Sequence, residues 1–217
     1  MKLYTYAASS AAYRVRIALN LKGVKPEMVS IPLVQDGGHQ FKPDYVAINP
    51  HKLVPALATE AGVLSQSLAI IGYLDELYPE PALAPRDAFG RATVNSMALA
   101  IACDIHPVNN LRVRKYLKEV MGQSEAAVNT WYRHWIELGF AGLEAQVKPY
   151  AGKFCHGDTP TVADICLVPQ MYNARRFKVD LTSFPALVAI DARAQALPAF
   201  ADAAPERQPD FEAPRGR

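Results

Sequence analysis

Apolar and polar residues alternate along Lys2-Leu3-Tyr4-Thr5-Tyr6, the period of a half-buried strand. From Tyr13 the period becomes helical. Tyr13, Ile17, Ala18 and Leu21 form one apolar face, Val15 and Leu19 widen it, and Arg16 and Asn20 are left on a polar stripe. Gly23 ends this helix, and Glu27 to Ile31 reads as a second strand. Strand, helix and strand in succession predict a parallel pair joined by a right-handed crossover. Val34 to Ile48 breaks both periods with Gly37-Gly38, His39 and Pro43, so an irregular excursion with one helical turn is expected there. Leu53 to Ala58 and Val63 to Ser65, around Glu60-Ala61-Gly62, read as a hairpin whose first strand opens at Pro55. Ser67 is expected to cap a helix built on Leu68, Ile71 and Leu74, and Tyr78-Pro79-Glu80-Pro81 to stop it.

Strand signals end at that proline-rich run. Residues 81–86 read as a linker between an α/β domain, 1–80, and an all-helical domain, 87–217. The second domain opens with a helix from Asp87 through Ala102, disturbed at His106-Pro107 because proline removes a backbone donor. Ser124 to Val147 is a long amphipathic helix carrying Trp131, Trp135, Leu138 and Leu143. Thr161-Val162-Ala163-Asp164 is a capping-box start for a helix reaching Arg176. A last helix follows Pro185, and the tail after Pro205 is expected to be loose.

Composition narrows the function classes. The chain has 217 residues, half of them hydrophobic, and a formal net charge of +2, which gives no argument for nucleic acid or a membrane surface. No apolar run is long enough to span a bilayer. Cys103, Cys155 and Cys166 are odd in number and widely spaced, so buried thiols in a reducing compartment are expected, with neither a disulfide framework nor a metal site. The chain passes directly into a strand, and a cytoplasmic location is expected.

The candidate chemistry lies between the first strand and the first helix. Ala7 to Ala12 are all small, so a ligand can approach the backbone, and Ser9-Ser10 stand at a helix start. Free N–H groups and the positive end of the helix dipole collect at such a place, which stabilises an anion. The same serines also suit a plain N-cap.

The line Ser9-Ser10-Ala11-Ala12-Tyr13-Arg14-Val15-Arg16-Ile17-Ala18-Leu19 resembles the signature of zeta-class glutathione transferases. The similarity continues through Asp36-Gly37-Gly38, Asn49-Pro50, Val54-Pro55, Gln66-Ser67-Leu68-Ala69-Ile70, Ala163-Asp164, Leu167-Val168-Pro169-Gln170 and Arg176-Phe177-Lys178-Val179-Asp180-Leu181. Within that class the chain looks most like the bacterial glutathione-dependent maleylpyruvate isomerases. The class signature has a cysteine where this chain has Ala11. The resemblance implies a thioredoxin-like first domain with a mixed four-stranded sheet, followed by a helical-bundle domain, in a homodimer.

It also implies a glutathione site. Val54, before a cis-proline, would pair through its backbone with the cysteinyl part of glutathione, and Gln66 and Ser67 would take the γ-glutamyl carboxylate. Gln40 would contact the other end of the tripeptide, with His39 a weaker candidate. Ser9 and Ser10, beside Ala11, would hold the sulfur, lowering a thiol pKa of about 8.5. His106, Asn109 and Asn110 would overhang the cofactor. The dicarboxylate substrate would be bound by Arg176, with Arg112, His106 and Arg14 as further candidates; Arg14 suits a structural role equally. Arg114 and Arg175 read as solvated surface residues.

The implied activity is cis–trans isomerisation of maleylpyruvate to fumarylpyruvate, in gentisate-type aromatic degradation. The thiolate adds to the double bond, the bond turns, and the thiolate leaves. The alternatives are maleylacetoacetate isomerisation in tyrosine and phenylalanine catabolism, or general glutathione conjugation.

Overall fold

The computed structural model describes residues 1–212. Its contacts divide the chain into two compact units, Met1–Ala82 with Leu197 onward, and Leu83–Ala196.

The first unit is built on β1 (Lys2–Thr5), α1 (Ser10–Leu21), β2 (Glu27–Ser30), α2 (Pro43–Ile48), β3 (Ala56–Thr59), β4 (Gly62–Ser65) and α3 (Ser67–Leu77). The sheet order is β2-β1-β3-β4. β1 pairs in parallel with β2, Leu3 opposite Met28, and antiparallel with β3, Leu3 opposite Leu57. The expected crossover and hairpin are therefore present in one mixed sheet. Between β2 and α2 the excursion holds two short 3₁₀ turns, Gln35–Gly37 and His39–Phe41, ahead of the helical turn. Lys22 ties the end of α1 to Asp75 of α3 and to the Pro81 carbonyl, both at 2.6 Å.

Two features of this unit differ from the sequence reading. Arg16 does not lie on a polar stripe: it is 3 % exposed. Its Nε donates to the Ala203 carbonyl at 3.0 Å, Nη1 to Thr5 Oγ1 and the Tyr6 carbonyl, and Nη2 to the Ala7 carbonyl. Burial pulls its pKa down to about 10, against the opposing pull of Asp210 and Tyr13. The stretch from Leu197, assigned by sequence to the helical domain and a loose tail, instead groups with the first unit through α10 (Pro198–Ala201) and the residues after it. Besides Ala203 on Arg16, Asp210 accepts from the Ala7 N–H at 3.2 Å and the Ser30 hydroxyl at 2.6 Å. Residues 213–217, the rest of the expected tail, lie outside the described residues.

The second unit is all-helical. α4 (Ala88–Leu99) is capped by Asp87, which accepts from the Gly90 N–H at 2.7 Å. It widens into a π-helical stretch, Ala100–Ile105, before α5 (His106–Val108), whose Pro107 has no N–H to donate to the helical ladder. α6 (Leu111–Lys115) leads into a second π turn, Tyr116–Val120. α7 (Glu125–Val147) has Ser124 as its N-cap and passes close to the π stretch: a Cβ on Gly139 would meet Ile105 at 2.3 Å. Leu138 of α7 is exposed, contrary to the amphipathic reading.

α8 (Val162–Arg176) is the most deeply buried helix and packs against α4 and α9 (Pro185–Gln195). Its start is the capping box read from the sequence. Asp164, fully buried, accepts from Thr161 N–H at 2.8 Å, Thr161 Oγ1 at 2.9 Å and Cys155 N–H at 2.7 Å. Burial raises the Asp164 pKa, while those hydrogen bonds oppose the rise.

Candidate functional site

In the first unit, the two serines play different parts. Ser9 is the N-cap of α1, with extended backbone, and its Oγ accepts from the Ala12 N–H at 3.2 Å. The cap uses an oxygen lone pair, so the Ser9 O–H is still able to donate. Ser10 is the first helical residue and is buried; Ala11 follows it, half-buried. Cap and anion donor are compatible roles for Ser9.

The start of α3 is not arranged as expected. Gln66, not Ser67, takes the cap position, at φ 71°, and its side chain makes no cap hydrogen bond. A non-glycine residue at such a φ costs on the order of 1 kcal/mol. Ser67 therefore falls in the first helical turn, buried, with its Oγ accepting from Arg14 Nη1 at 3.3 Å. The first N–H groups of α3 are left without a side-chain cap, the condition under which a helix start takes an anion.

Arg14 is 2 % exposed. Among the described residues, its Nε and Nη2 have no hydrogen-bond partner.

Val54 precedes a cis peptide bond to Pro55 and is buried. Tyr45 Oη and Asn49 Nδ2 both donate to the Leu53 carbonyl, at 2.6 and 2.7 Å, and so fix the approach to that bond. Among the described residues, the Val54 backbone N–H and C=O make no hydrogen bond.

Gln40 is buried in the second 3₁₀ turn, with Nε2 donating to the Leu33 carbonyl at 3.3 Å and Oε1 without a partner. Gly38, at φ 104°, permits this: a Cβ there would meet the Gln40 amide at 2.6 Å. His39 is not a free loop residue, since Nε2 lies 3.1 Å from Asp36 Oδ2. That hydrogen bond, then Lys42, holds the Asp36 carboxyl below its usual range.

In the second unit the cations gather around the end of α8. Arg175, read as solvated, pairs with Asp191 of α9, whose side chain is fully buried. Burial raises the Asp191 pKa, opposed by Gln195 and then by Arg175. Its neighbour Arg176 is exposed and, among the described residues, has neither an ion pair nor a hydrogen bond; its guanidinium lies 5.7 Å from the Phe177 ring centre. Arg114, also read as solvated, is half-buried against the rings of Phe177 and Tyr132. No local pattern marks Arg114, because its surroundings come from α7 and from the residue after α8.

Three comparisons bear on this arrangement. Residues 3–82 match the model of the glutathione S-transferase N-terminal domain. The chain is 50 % identical to a maleylpyruvate isomerase from a Ralstonia species, over 97 % of this chain and 99 % of that protein. It is also 50 % identical to a probable maleylacetoacetate isomerase from Vibrio cholerae, over 96 % of this chain and 97 % of that protein. Among solved structures, a holo maleylpyruvate isomerase described as a bacterial zeta-class glutathione transferase superposes with a TM-score of 0.94, at 50 % identity, covering 98 % of this chain and 100 % of that one. This chain is a zeta-class glutathione transferase.

The remaining candidates of this family member lie in the bend between α5 and α6. His106 opens α5, and its Nε2 is 3.3 Å from Asn110 Nδ2. Asn109 is buried, donating from Nδ2 to the Tyr132 carbonyl at 3.2 Å. Asn110 caps α6, its Oδ1 accepting from the Arg112 N–H at 3.2 Å. The Asn109 and Asn110 amides thus hold the bend in shape, while the Arg112 side chain is exposed. Among the described residues no group of three or more His, Cys, Asp or Glu could hold a metal ion, and no helix is long and apolar enough to cross a membrane.

Proposed function

We propose that this protein is a glutathione-dependent cis–trans isomerase converting maleylpyruvate to fumarylpyruvate. The observation that carries the reading is Arg176: beside an arginine neutralised by Asp191, it presents an exposed cation with no carboxylate of the described residues in ion-pair contact. A site for conjugating apolar electrophiles has no use for such a charge, whereas a dicarboxylate needs it.

The first unit suits glutathione. The tripeptide has a backbone to pair, carboxylates to hold and a thiol to activate. The unbonded backbone of Val54, the open N–H groups at the start of α3 with Ser67, and the spare donor of Ser9 answer those needs in turn. Gln40, with an unused Oε1, is the further contact on the loop side, and Gln66 stands beside Ser67. When bound, glutathione supplies a thiolate that adds to the cis double bond and later leaves, so that the bond turns while it is single. Ser9, at the positive end of α1, donates to the sulfur and holds it deprotonated; Ser10 packs the turn. Ala11 offers no thiol, so no second nucleophile competes. Arg176 orients the substrate through a carboxylate, and the His106 and Arg112 side chains are the further groups on the substrate domain that meet developing negative charge.

Maleylacetoacetate is the second reading, favoured by the equal identity to the Vibrio cholerae relative. The two substrates differ by one methylene, worth about 1–3 kcal/mol in a fitted pocket. Parallel kinetics on both cis acids test the assignment: a higher kcat/KM for maleylpyruvate is expected, and a higher value for maleylacetoacetate overturns it. A homodimer in the cytoplasm belongs to the same reading and rests on the family.

A further inference from the structure

Arg114 and Arg176 share one aromatic platform. The Arg114 guanidinium carbon lies 4.6 Å from the centre of the Phe177 ring and 5.5 Å from that of Tyr132. The two rings stack at 3.7 Å. The Arg176 guanidinium carbon lies 5.7 Å from the same Phe177 centre, so the separation of the two cations cannot exceed the sum of their distances to that ring. Among the described residues neither guanidinium has a carboxylate in ion-pair contact, and Arg114 Nε is buried without a hydrogen-bond partner. Glu125, the acid whose field reaches Arg114, pairs with Lys118 at 3.7 Å.

Holding two like charges near each other, one of them half-buried, is unfavourable, and nothing in the helical packing requires it. The two rings pack against the Arg114 guanidinium and limit its rotamers, so less freedom is lost when a ligand arrives. A carboxylate shared between the two guanidinium groups would remove the repulsion and supply the acceptor that Arg114 Nε lacks. We propose that Arg114 is a second substrate-binding residue, which with Arg176 grips one carboxylate of the substrate beside the Phe177–Tyr132 stack. The proposal rests on the dicarboxylate reading above.

The test compares isomerisation kinetics of the wild type, Arg114→Leu, Arg114→Lys and Arg176→Ala, with glutarate as a competitive, unreactive dicarboxylate. Arg114→Leu keeps apolar contact with the rings. It is expected to raise the KM for the cis acid and the inhibition constant of glutarate about tenfold, as for one lost charge-assisted contact. Its kcat and its KM for glutathione should stay near wild type. Arg114→Lys keeps charge and length but not the fork, and should give an intermediate rise; it also serves if the leucine variant fails to fold. An unchanged KM and glutarate constant in the lysine and leucine variants, with Arg176→Ala impaired, overturns the role of Arg114 alone. Equal losses for glutathione and the cis acid would mark Arg114 as structural and overturn it as well. A wild type that neither isomerises a cis acid nor binds glutarate overturns the dicarboxylate reading and this proposal with it.

Discussion

Helix α1 in the first unit and the end of α8 in the second each carry two arginines close together in sequence. On α1, Arg16 spends its whole guanidinium on four acceptor residues, while Arg14 has one hydrogen bond and two buried nitrogens left over. At the end of α8, Arg175 is paired with buried Asp191, while Arg176 stands exposed and, among the described residues, unpaired. In both regions one cation is absorbed by the fold and one is not. The difference between the two leftover cations is burial. Arg14 is buried and holds the Ser67 hydroxyl; Arg176 is exposed.

The comparison breaks most sharply at Arg16. Arg16→Met leaves the buried carbonyls of Ala7 and Ala203 without this donor, and should cost about 4 kcal/mol of stability in chemical denaturation. A loss below about 1 kcal/mol would show that its hydrogen bonds to the turn after β1 and to Ala203 do not stabilise the fold.

Arg175→Ala should cost about 3 kcal/mol at neutral pH, because it leaves the buried Asp191 carboxylate unpaired; the exposed half of the pair makes this an upper figure. The pH dependence gives the sign. Burial raises the Asp191 pKa in the folded protein, so its contribution to stability is complete below the ordinary aspartate value of about 3.9 and is lost as pH rises through the native value. Removing Arg175 raises that native value further. The deficit of the variant, followed as Tm between acid and neutral pH, should therefore grow with pH; a constant deficit contradicts the assignment.

Arg176→Ala should behave in the opposite way. It leaves Tm unchanged and lowers kcat/KM for the cis acid about a hundredfold, with glutathione affinity kept. Matching losses in both would make Arg176 structural. The smallest change is expected from Arg14→Met. It removes one long hydrogen bond and a poorly satisfied buried charge, so stability should move by about 1 kcal/mol or less. The KM for glutathione should nevertheless rise several-fold, through a Ser67 hydroxyl no longer held. An unchanged KM would show that Ser67 needs no positioning.

Much of this was legible along the chain. The alternation of β1, the 3.6 period of α1, the hairpin around Glu60-Ala61-Gly62 and the Thr161–Asp164 capping box are set by neighbours a few residues apart, and each is found where its pattern stands. What was not legible depends on distant partners. Arg16 and Asn20 look like a polar stripe until Ala203 and Ala199, folding back onto α1, supply acceptors. Arg175 looks solvated until α9 supplies Asp191, and Arg114 until Tyr132 and Phe177 supply rings. Ser67 looks like a cap because serine favours that place; the positive φ of Gln66, which no propensity favours, moves the helix start back by one residue.

The central claim is that two anion-ready regions serve one reaction in which glutathione is returned. It is tested most directly by giving the protein maleylpyruvate with glutathione far below stoichiometric amount and following the cis acid, the trans acid and free thiol together. Complete conversion to the trans acid with all free thiol recovered is the predicted result. Conversion that stops after one equivalent of glutathione, with the thiol consumed in a stable conjugate, would contradict the account.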